Sequence, residues 1–274
     1  NTAAVIVGSS GSLTLSANET IGTIEGAGNI NLGTRTLTVA DGADKTFSGK
    51  VTNAGSLTLT TGKLTLTGST NDFSGTTTVS NGATLQAGHN SALGTSTLAL
   101  LTGSKFSSDG ASGAGDRILS NGLNFAGSIT LGDATNSGKL TFSGNGVLSG
   151  ATTATLATDV EFGGIISGSS LTTSGSGILT LKGANTFSGL TVGADGTVKV
   201  ANDSALGGAA VTFGNGVTLT AVDGSLSYNL PNSYTTGTTL TLGTASNTGV
   251  ITLDGAGTLN SNLALTTASD AVLN

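Results

Sequence analysis

The sequence predicts an all-β protein, a right-handed three-sided parallel β-helix (β-solenoid) with roughly 20 residues per coil. Three observations lead to this prediction. Apolar residues alternate with Thr and Ser along most of the 274 residues, a pattern typical of β-strands. Forty-five glycines beside one proline indicate many tight corners in an ordered chain. A long segment also recurs, and repeated strand–turn units bury a core by stacking on one another.

The recurring segment spans residues 64–75 and returns at 179–189, one residue shorter. The likeness continues downstream in two further pairs of segments: 84–87 with 197–200, and 91–94 with 204–207. A chain that repeats strand, turn, strand and turn in this way is predicted to stack rather than to close one globule.

The strands of one coil follow from the spacing of apolar residues. Leu59, Leu66 and Phe73 are separated by steps of seven residues, and Val79 and Leu85 follow by steps of six. A strand of about four or five residues and a corner of two or three fit that step. Three such sides complete one coil, so these side chains are expected to form one buried column per side.

The corners between the strands carry suitable turn residues. Asn81, Asn121, Asn145 and Asn215 each precede a glycine, and both residue types adopt positive φ at low cost. Asn-Gly also favours antiparallel hairpins, which are the main structural alternative. The persistent step of six or seven residues favours the coil. Buried Asn side chains at the corners are expected to hydrogen-bond along the axis of the stack.

The whole chain, 1–274, is predicted to form a single β-solenoid domain. Two irregular excursions are expected, near residues 100–116, where Ser and Gly dominate, and near 228–234, which holds Pro231 and both tyrosines. Residue 1 is Asn and no Met occurs, so we expect a fragment of a longer protein without a signal peptide. The eight Phe side chains are expected to stack in the core.

Composition excludes several classes of partner. Charged residues make up 9% of the chain, the net charge is −6, and the nine Lys and Arg residues form no cluster. We therefore predict no binding to nucleic acid or to an anionic membrane surface. The lack of Cys excludes disulfides and thiolate metal sites. No apolar run approaches the length of about 18 residues that a membrane-spanning helix needs.

Catalytic and metal-binding patterns are also missing from the sequence, so no catalytic residue, metal ligand or cofactor is predicted. His89 is the one histidine, and no activated Ser or carboxylate accompanies it locally, so we expect an exposed loop residue. Asp159 and Glu161 alternate on a predicted strand and could form a carboxylate pair, but a solvated strand face is the favoured interpretation. Residues 163–166 lack the third glycine and the Asp of calcium-binding coils.

The second copy of the repeat carries a more specific pattern. It reads Gly177-x-Leu179-x-Leu181-x-Gly183-x-Asn185-x-Phe187-Ser188-Gly189. This pattern resembles the autotransporter-associated β-strand repeat, also called the passenger-associated transport repeat. The first copy, residues 62–75, departs from it by one inserted residue. With the downstream segments included, which end at residues 94 and 207, the two copies cover about a quarter of the chain.

The resemblance implies a type V secretion passenger of a Gram-negative bacterium, exported across the outer membrane to the cell surface or the exterior. It also implies a C-terminal translocator barrel outside this fragment, and a right-handed β-helix as the fold. In the family the repeat is associated with efficient secretion and outward folding, which is a structural role.

The functional prediction is a non-catalytic cell-surface passenger rod that acts as an adhesin or a self-association module. Its expected partners are a host surface component or neighbouring copies of the same protein, and no small-molecule substrate is expected. One alternative is a structural extracellular protein that forms filaments or a surface layer. Another is a carbohydrate-active β-helix enzyme, which turnover of a polysaccharide would reveal.

Overall fold

The computed structural model describes residues 3–246 and 249–274, and its regular structure there consists of strands without a helix. Nothing in the described residues provides a helix that could span a bilayer. The chain divides into two compact units, Asn1–Gly144 and Asn145–Asn274. The prediction of a single domain stays a prediction, and Asn1, where the fragment is expected to begin, lies outside the described residues.

The first unit is a β-solenoid built from three parallel ladders. The first ladder contains Ala4–Val7, Thr23–Gly26, Lys45–Phe47, Gly62–Leu66, Ala83–Ala87, Lys105–Ser108 and the end of Leu123–Leu131. The second contains Ser12–Thr14, Asn29–Asn31 and Lys50–Thr52, with Arg117–Leu119 and Leu140–Phe142 paired further on. The third contains Glu19–Ile21, Thr36–Val39, Ser56–Leu59, Thr76–Val79, Thr97–Leu100 and the start of Leu123–Leu131.

The second unit repeats the same arrangement. One ladder contains the end of Gly146–Leu156, then Leu171–Ser174, Leu190–Val192, Val211–Phe213, Tyr234–Thr236 and Gly257–Thr258. Another contains Val160–Phe162, Leu179–Leu181, Thr197–Val200, Val217–Ala221, Thr239–Leu242 and Ala264–Thr267. The third contains the start of Gly146–Leu156 with Ile166–Gly168, and later Tyr228–Leu230, Ile251–Leu253 and Ala271–Leu273.

These ladders confirm the parallel β-solenoid and its repeat length. Equivalent residues in adjacent turns, such as Thr65 and Gln86, lie 21 positions apart, close to the predicted 20. Many strands, such as Thr36–Val39, bury alternate side chains, because neighbouring residues of a strand point to opposite faces. Leu64 lies beside Leu85, which lies beside Phe106, and all three side chains are buried. The right-handed sense of the coil stays a prediction.

Aromatic and aliphatic side chains fill the interior of each unit as expected. All eight phenylalanines are buried: Phe47, Phe73, Phe106, Phe125, Phe142, Phe162, Phe187 and Phe213. In the first unit the ring of Phe142 contacts those of Phe106 and Phe125, with centroids 5.9 and 6.2 Å away. Such tilted and edge-on contacts are the arrangements that aromatic rings prefer.

Both predicted excursions are shorter than the sequence suggested. Residues 105–108 form a strand in register with Ala83–Ala87, and the loop is confined to 109–116. The abundance of serine suggested an exposed loop, but Ser107 is buried and accepts a hydrogen bond from Gln86 Nε2 at 3.1 Å. In the segment 228–234, strands end at Leu230 and begin again at Tyr234, so the irregular part is 231–233.

Candidate functional site

The two copies of the repeat place a buried asparagine at the same corner of the solenoid. In the first unit, Asn71 Oδ1 accepts a hydrogen bond from Val51 N at 2.8 Å, and Asn71 Nδ2 donates to Ala92 O at 2.8 Å. Val51 lies one turn before Asn71 in the stack and Ala92 one turn after it. A single side chain therefore connects three successive turns.

The second unit contains the same connection. Asn185 Oδ1 accepts from Ile166 N at 2.7 Å, and Asn185 Nδ2 donates to Ala205 O, also at 2.7 Å. Val51 and Ile166 lie in the strands Lys50–Thr52 and Ile166–Gly168, and the following turn presents a corner instead of a strand to their N–H groups, which therefore need a partner from elsewhere. Each asparagine supplies one donor and one acceptor for such groups. The expectation that buried Asn residues bond along the axis is confirmed.

A phenylalanine and a glycine complete each corner. Phe73 and Phe187 lie two residues after the asparagines and are fully buried. Gly94 and Gly207 belong to the next turn and have φ of +54° and +86°. A Cβ on Gly207 would lie 2.5 Å from the ring of Phe187, so this position requires glycine.

We call Asn71, Phe73, Ala92 and Gly94 the first asparagine cluster, and Asn185, Phe187, Ala205 and Gly207 the second asparagine cluster. Each cluster unites the Asn-x-Phe-Ser-Gly corner of the repeat with the Ala-Leu-Gly segment that follows about one turn later. The two motifs recur together in the sequence because they contact each other in the fold.

A second buried asparagine lies on the far side of each cluster, and sequence reasoning missed this role. Asn121 Nδ2 donates to Ser96 O at 2.7 Å and to Gly94 O at 3.3 Å. Asn232 Nδ2 donates to Ala209 O at 2.7 Å and to Gly207 O at 2.9 Å. In the sequence, Asn121 is recognisable only as half of an Asn-Gly turn, and no turn motif marks Asn232. Their relation was hidden because the loops between acceptor and asparagine differ in length.

Ion pairs engage many of the charged side chains, and all but the pair of Arg117 with Asp109, which spans one loop, connect successive turns. The pairs are Lys45 with Glu25, Lys50 with Asp72, Lys63 with Asp44, Lys105 with Asp133, Arg117 with Asp109, and Lys182 with Glu161. The Asp133 carboxylate also accepts from the backbone N–H groups of Thr135 and Asn136. The hydrogen bond from Lys105 is the largest cause that lowers the pKa of Asp133, to about 2.

The structure does not assemble a catalytic group from the residues considered in the sequence. His89 is an exposed residue of a turn, and its Nδ1 accepts a hydrogen bond from Ser91 N at 3.1 Å. Asp159 Oδ1 accepts from Ile178 N at 2.9 Å. Among the described residues, no group of three or more His, Cys, Asp or Glu side chains could hold a metal ion.

Glu161 departs from its expected surroundings. We predicted a solvated strand face, whereas Glu161 is buried and pairs with Lys182 Nζ at 2.6 Å. Its neighbours in the ladder are responsible, since Glu161 lies in register with Thr180, which is itself buried. A carboxylate committed to an ion pair in this way serves the stacking of turns.

Comparison with known proteins agrees with the repeat pattern. The family model "Passenger-associated-transport-repeat" matches residues 61–87 and 171–200. Each matched segment contains the asparagine and the phenylalanine of one cluster. No solved structure matches the chain significantly.

A curated relative is the protein named Adhesin BmaC autotransporter of Brucella suis biovar 1 (strain 1330). It is 39% identical over 114 residues, which cover 37% of this chain and 3% of the relative. The chain therefore corresponds to a small part of that protein's length. The repeat matches and this relative together support the resemblance read from the sequence: an autotransporter passenger that carries passenger-associated transport repeats.

Proposed function

We propose that this chain is a non-catalytic part of an autotransporter passenger that acts as an adhesin on the surface of a Gram-negative bacterium. The observation that carries the proposal is the likeness to a protein named as an autotransporter adhesin. It occurs in a chain whose two repeat matches each contain the asparagine and the phenylalanine of one asparagine cluster. The translocator barrel, in this proposal, belongs to the same protein outside the chain.

The asparagine clusters suit a passenger that must become rigid outside the cell. Each cluster connects three turns through one buried side chain, so a turn that has formed presents a ready acceptor or donor to the next one. This chain contains no Cys, so its turns are held together without disulfides. The proposed role of the clusters is to secure the scaffold, while exposed faces and loops of the coils contact the host.

Absence of catalysis is part of the proposal. The carboxylates that sequence analysis singled out are engaged with the fold, Glu161 with Lys182 and Asp159 with the backbone of Ile178. His89 bonds to its own turn. None of these contacts presents a nucleophile beside a general base, which hydrolysis would need.

Surface exposure can be tested with single cysteines, because the chain contains none. Thr212 is exposed on the strand Val211–Phe213, whereas Leu181 is buried. In the full-length protein, Thr212→Cys should react with a membrane-impermeant maleimide on intact cells, and Leu181→Cys should remain unlabelled until the protein is denatured. Labelling of Thr212→Cys only after cell lysis would contradict export to the surface.

Adhesion is tested on the same cells. A non-adherent Gram-negative host that displays the full-length protein should bind host cells, and the purified chain should compete for that binding. If the purified chain reduces only the clumping of the bacteria with one another, the chain acts in self-association instead. If the purified chain blocks neither process, the adhesin role is wrong for this part of the passenger, and a structural role remains.

A further inference from the structure

Four corners of the solenoid contain an Asn-Gly pair, a dipeptide that can modify itself without an enzyme. The backbone nitrogen of the glycine attacks Cγ of the asparagine, so that a C–N bond forms, the Cγ–Nδ2 bond breaks and the amide nitrogen leaves as ammonia. Water then opens the resulting succinimide ring and leaves a negatively charged aspartyl or isoaspartyl residue. Glycine favours the attack because it has no Cβ to obstruct the approach. The asparagines are Asn81, Asn121, Asn145 and Asn215.

Stacking of the turns restrains the attacking nitrogen in the three pairs whose asparagine is exposed. In each of these pairs the glycine N–H donates a hydrogen bond to a carbonyl oxygen of the next turn: Gly82 N to Gly103 O at 3.0 Å, Gly146 N to Ile165 O at 2.9 Å, and Gly216 N to Thr239 O at 3.1 Å. This bond must break before the nitrogen can attack. All three pairs should therefore react more slowly in the folded chain than in the unfolded chain, and the glycine nitrogen does not distinguish between them.

The asparagine carboxamide does distinguish the pairs, because further hydrogen bonds hold it at two of the exposed sites. Asn145 Oδ1 accepts from Ile165 N at 2.9 Å. Asn215 Oδ1 accepts from Thr238 N at 2.7 Å and from Thr238 Oγ1 at 3.1 Å. At the fourth pair Asn121 is buried, and its Nδ2 donates to Ser96 O at 2.7 Å. Each of these bonds fixes Cγ and must also break before the ring can close.

Asn81 lacks such a restraint. Asn81 and Gly82 are both exposed, and within the described part of the chain the Asn81 carboxamide makes no hydrogen bond. Its Oδ1 lies against Gly103, whose own N–H donates to Ser128 O. Ring closure at Asn81 therefore requires the loss of the bond from Gly82 N alone, whereas Asn145 and Asn215 lose additional bonds.

We propose that Asn81 is the deamidation site of the folded chain, and that Asn145 and Asn215 react at least about fivefold more slowly because of the additional hydrogen bonds. The buried Asn121 is protected as well. An isoaspartyl product adds a methylene group to the backbone beside Gly82, where the bond to Gly103 joins two turns, so modification loosens this corner. The inference does not depend on the adhesin role.

The test follows deamidation of the purified 274-residue chain at mildly alkaline pH, in native buffer and in concentrated guanidinium chloride. Cleavage after Lys and Arg places the four asparagines on four different peptides: 64–105, 118–139, 140–182 and 200–274. Tandem mass spectrometry gives the rate at each asparagine. In the native chain we expect Asn81 to react first, at least about fivefold faster than the other three. In the unfolded chain all four should react at similar rates, because each is followed by glycine.

A matched pair of variants checks the assignment. Threonine suits both positions, because the next turn has Thr102 in the place of Asn81 and Thr238 in the place of Asn215. In the native state, Asn81→Thr should lower the total release of ammonia by at least about threefold. Asn215→Thr should leave that release nearly unchanged. The peptide rates of the unmodified chain give an answer that does not depend on either variant.

Three results would overturn the proposal. One is a native rate at Asn121, Asn145 or Asn215 that equals or exceeds the rate at Asn81. Another is an Asn81 that stays intact in the native chain while the unfolded chain is fully modified, since the fold would then protect this corner too. The third is an equal loss of ammonia release in the two variants. None of these results bears on adhesion, which the cell-binding experiment tests separately.

Discussion

Asn185 Nδ2 donates a hydrogen bond of 2.7 Å to the carbonyl oxygen of Ala205, 20 positions further along the chain. Asn71 and Ala92 form the same contact in the first unit, at 2.8 Å and across 21 positions. The recurrence shows why the repeat contains an asparagine in one motif and an Ala-Leu-Gly segment in another. The pair joins one turn of the solenoid to the next at a corner, beside backbone hydrogen bonds such as the one from Thr186 N to Ile166 O.

Removal of this side chain should destabilise the solenoid strongly. Asn185→Ala leaves the buried N–H of Ile166 and the carbonyl of Ala205 without their partner, at a cost of about 2–4 kcal/mol in the free energy of unfolding. Urea denaturation followed by circular dichroism measures this change. Asn229→Ala is the control, since Asn229 is exposed and should change stability by no more than about 0.5 kcal/mol. Equal losses in the two variants would contradict the role of the buried amide.

Adjacent glycines provide a test of the cluster's geometry. Gly207 has φ of +86° and a Cβ there would clash with Phe187, so Gly207→Ala should cost at least about 1–3 kcal/mol. Gly208→Ala adds the same methyl group in open space and should stay within about 0.5 kcal/mol. The difference in denaturation midpoint is the measurement. A larger loss for Gly208→Ala would show that the corner is described wrongly.

The buried column should reject a charge that the outer face accepts. Leu181 is 0% exposed, so Leu181→Asp buries an unpaired carboxylate and should cost more than about 3 kcal/mol. Thr212→Asp places the same group on an exposed strand position and should be nearly neutral. The measurement is the midpoint of thermal denaturation of each variant. Similar midpoints would mean that the inward and outward faces are assigned wrongly.

Acid should remove the contribution of Asp133 to the free energy of unfolding. Its pKa is lowered from 3.8 to about 2 in the folded protein, chiefly by the hydrogen bond from Lys105. A lowered pKa stabilises the fold above the unfolded value of 3.8 and loses that effect as the pH falls through about 2. The stability advantage of the unmodified chain over Asp133→Asn should therefore be present at pH 5 and shrink towards pH 2. An advantage that does not change with pH would contradict the ion pair.

The sequence was sufficient for the fold because the signals for it are local. The steps from Leu59 to Leu66 and from Leu66 to Phe73 reflect one strand and one corner each, and all three side chains are buried as predicted. Asn185 could also be anticipated, because a polar residue within a repeated apolar pattern needs an internal partner.

Some residues have a burial or a hydrogen-bonding role that the sequence does not predict, because it depends on neighbours from other turns. Alternation within the strand Leu179–Leu181 would place Thr180 on the outer face, yet Thr180 is 7% exposed because it lies between Glu161 and Lys199 in the ladder. Burial there is set by the side chains of the adjacent turns, which local alternation does not contain. Asn232 is hidden for the same reason, since its acceptors Gly207 and Ala209 lie 25 and 23 positions away.

The central claim is that one asparagine in each repeat joins successive turns, and amide hydrogen exchange at Ile166 tests it most directly. In the native chain, the Ile166 N–H bonded to Asn185 should be as protected as amides within the ladders. In Asn185→Ala its protection should fall by about a hundredfold or more, while the N–H of Val51, bonded to Asn71, keeps its protection. An Ile166 amide that exchanges freely in the native chain, or equally slowly in both proteins, would contradict the account.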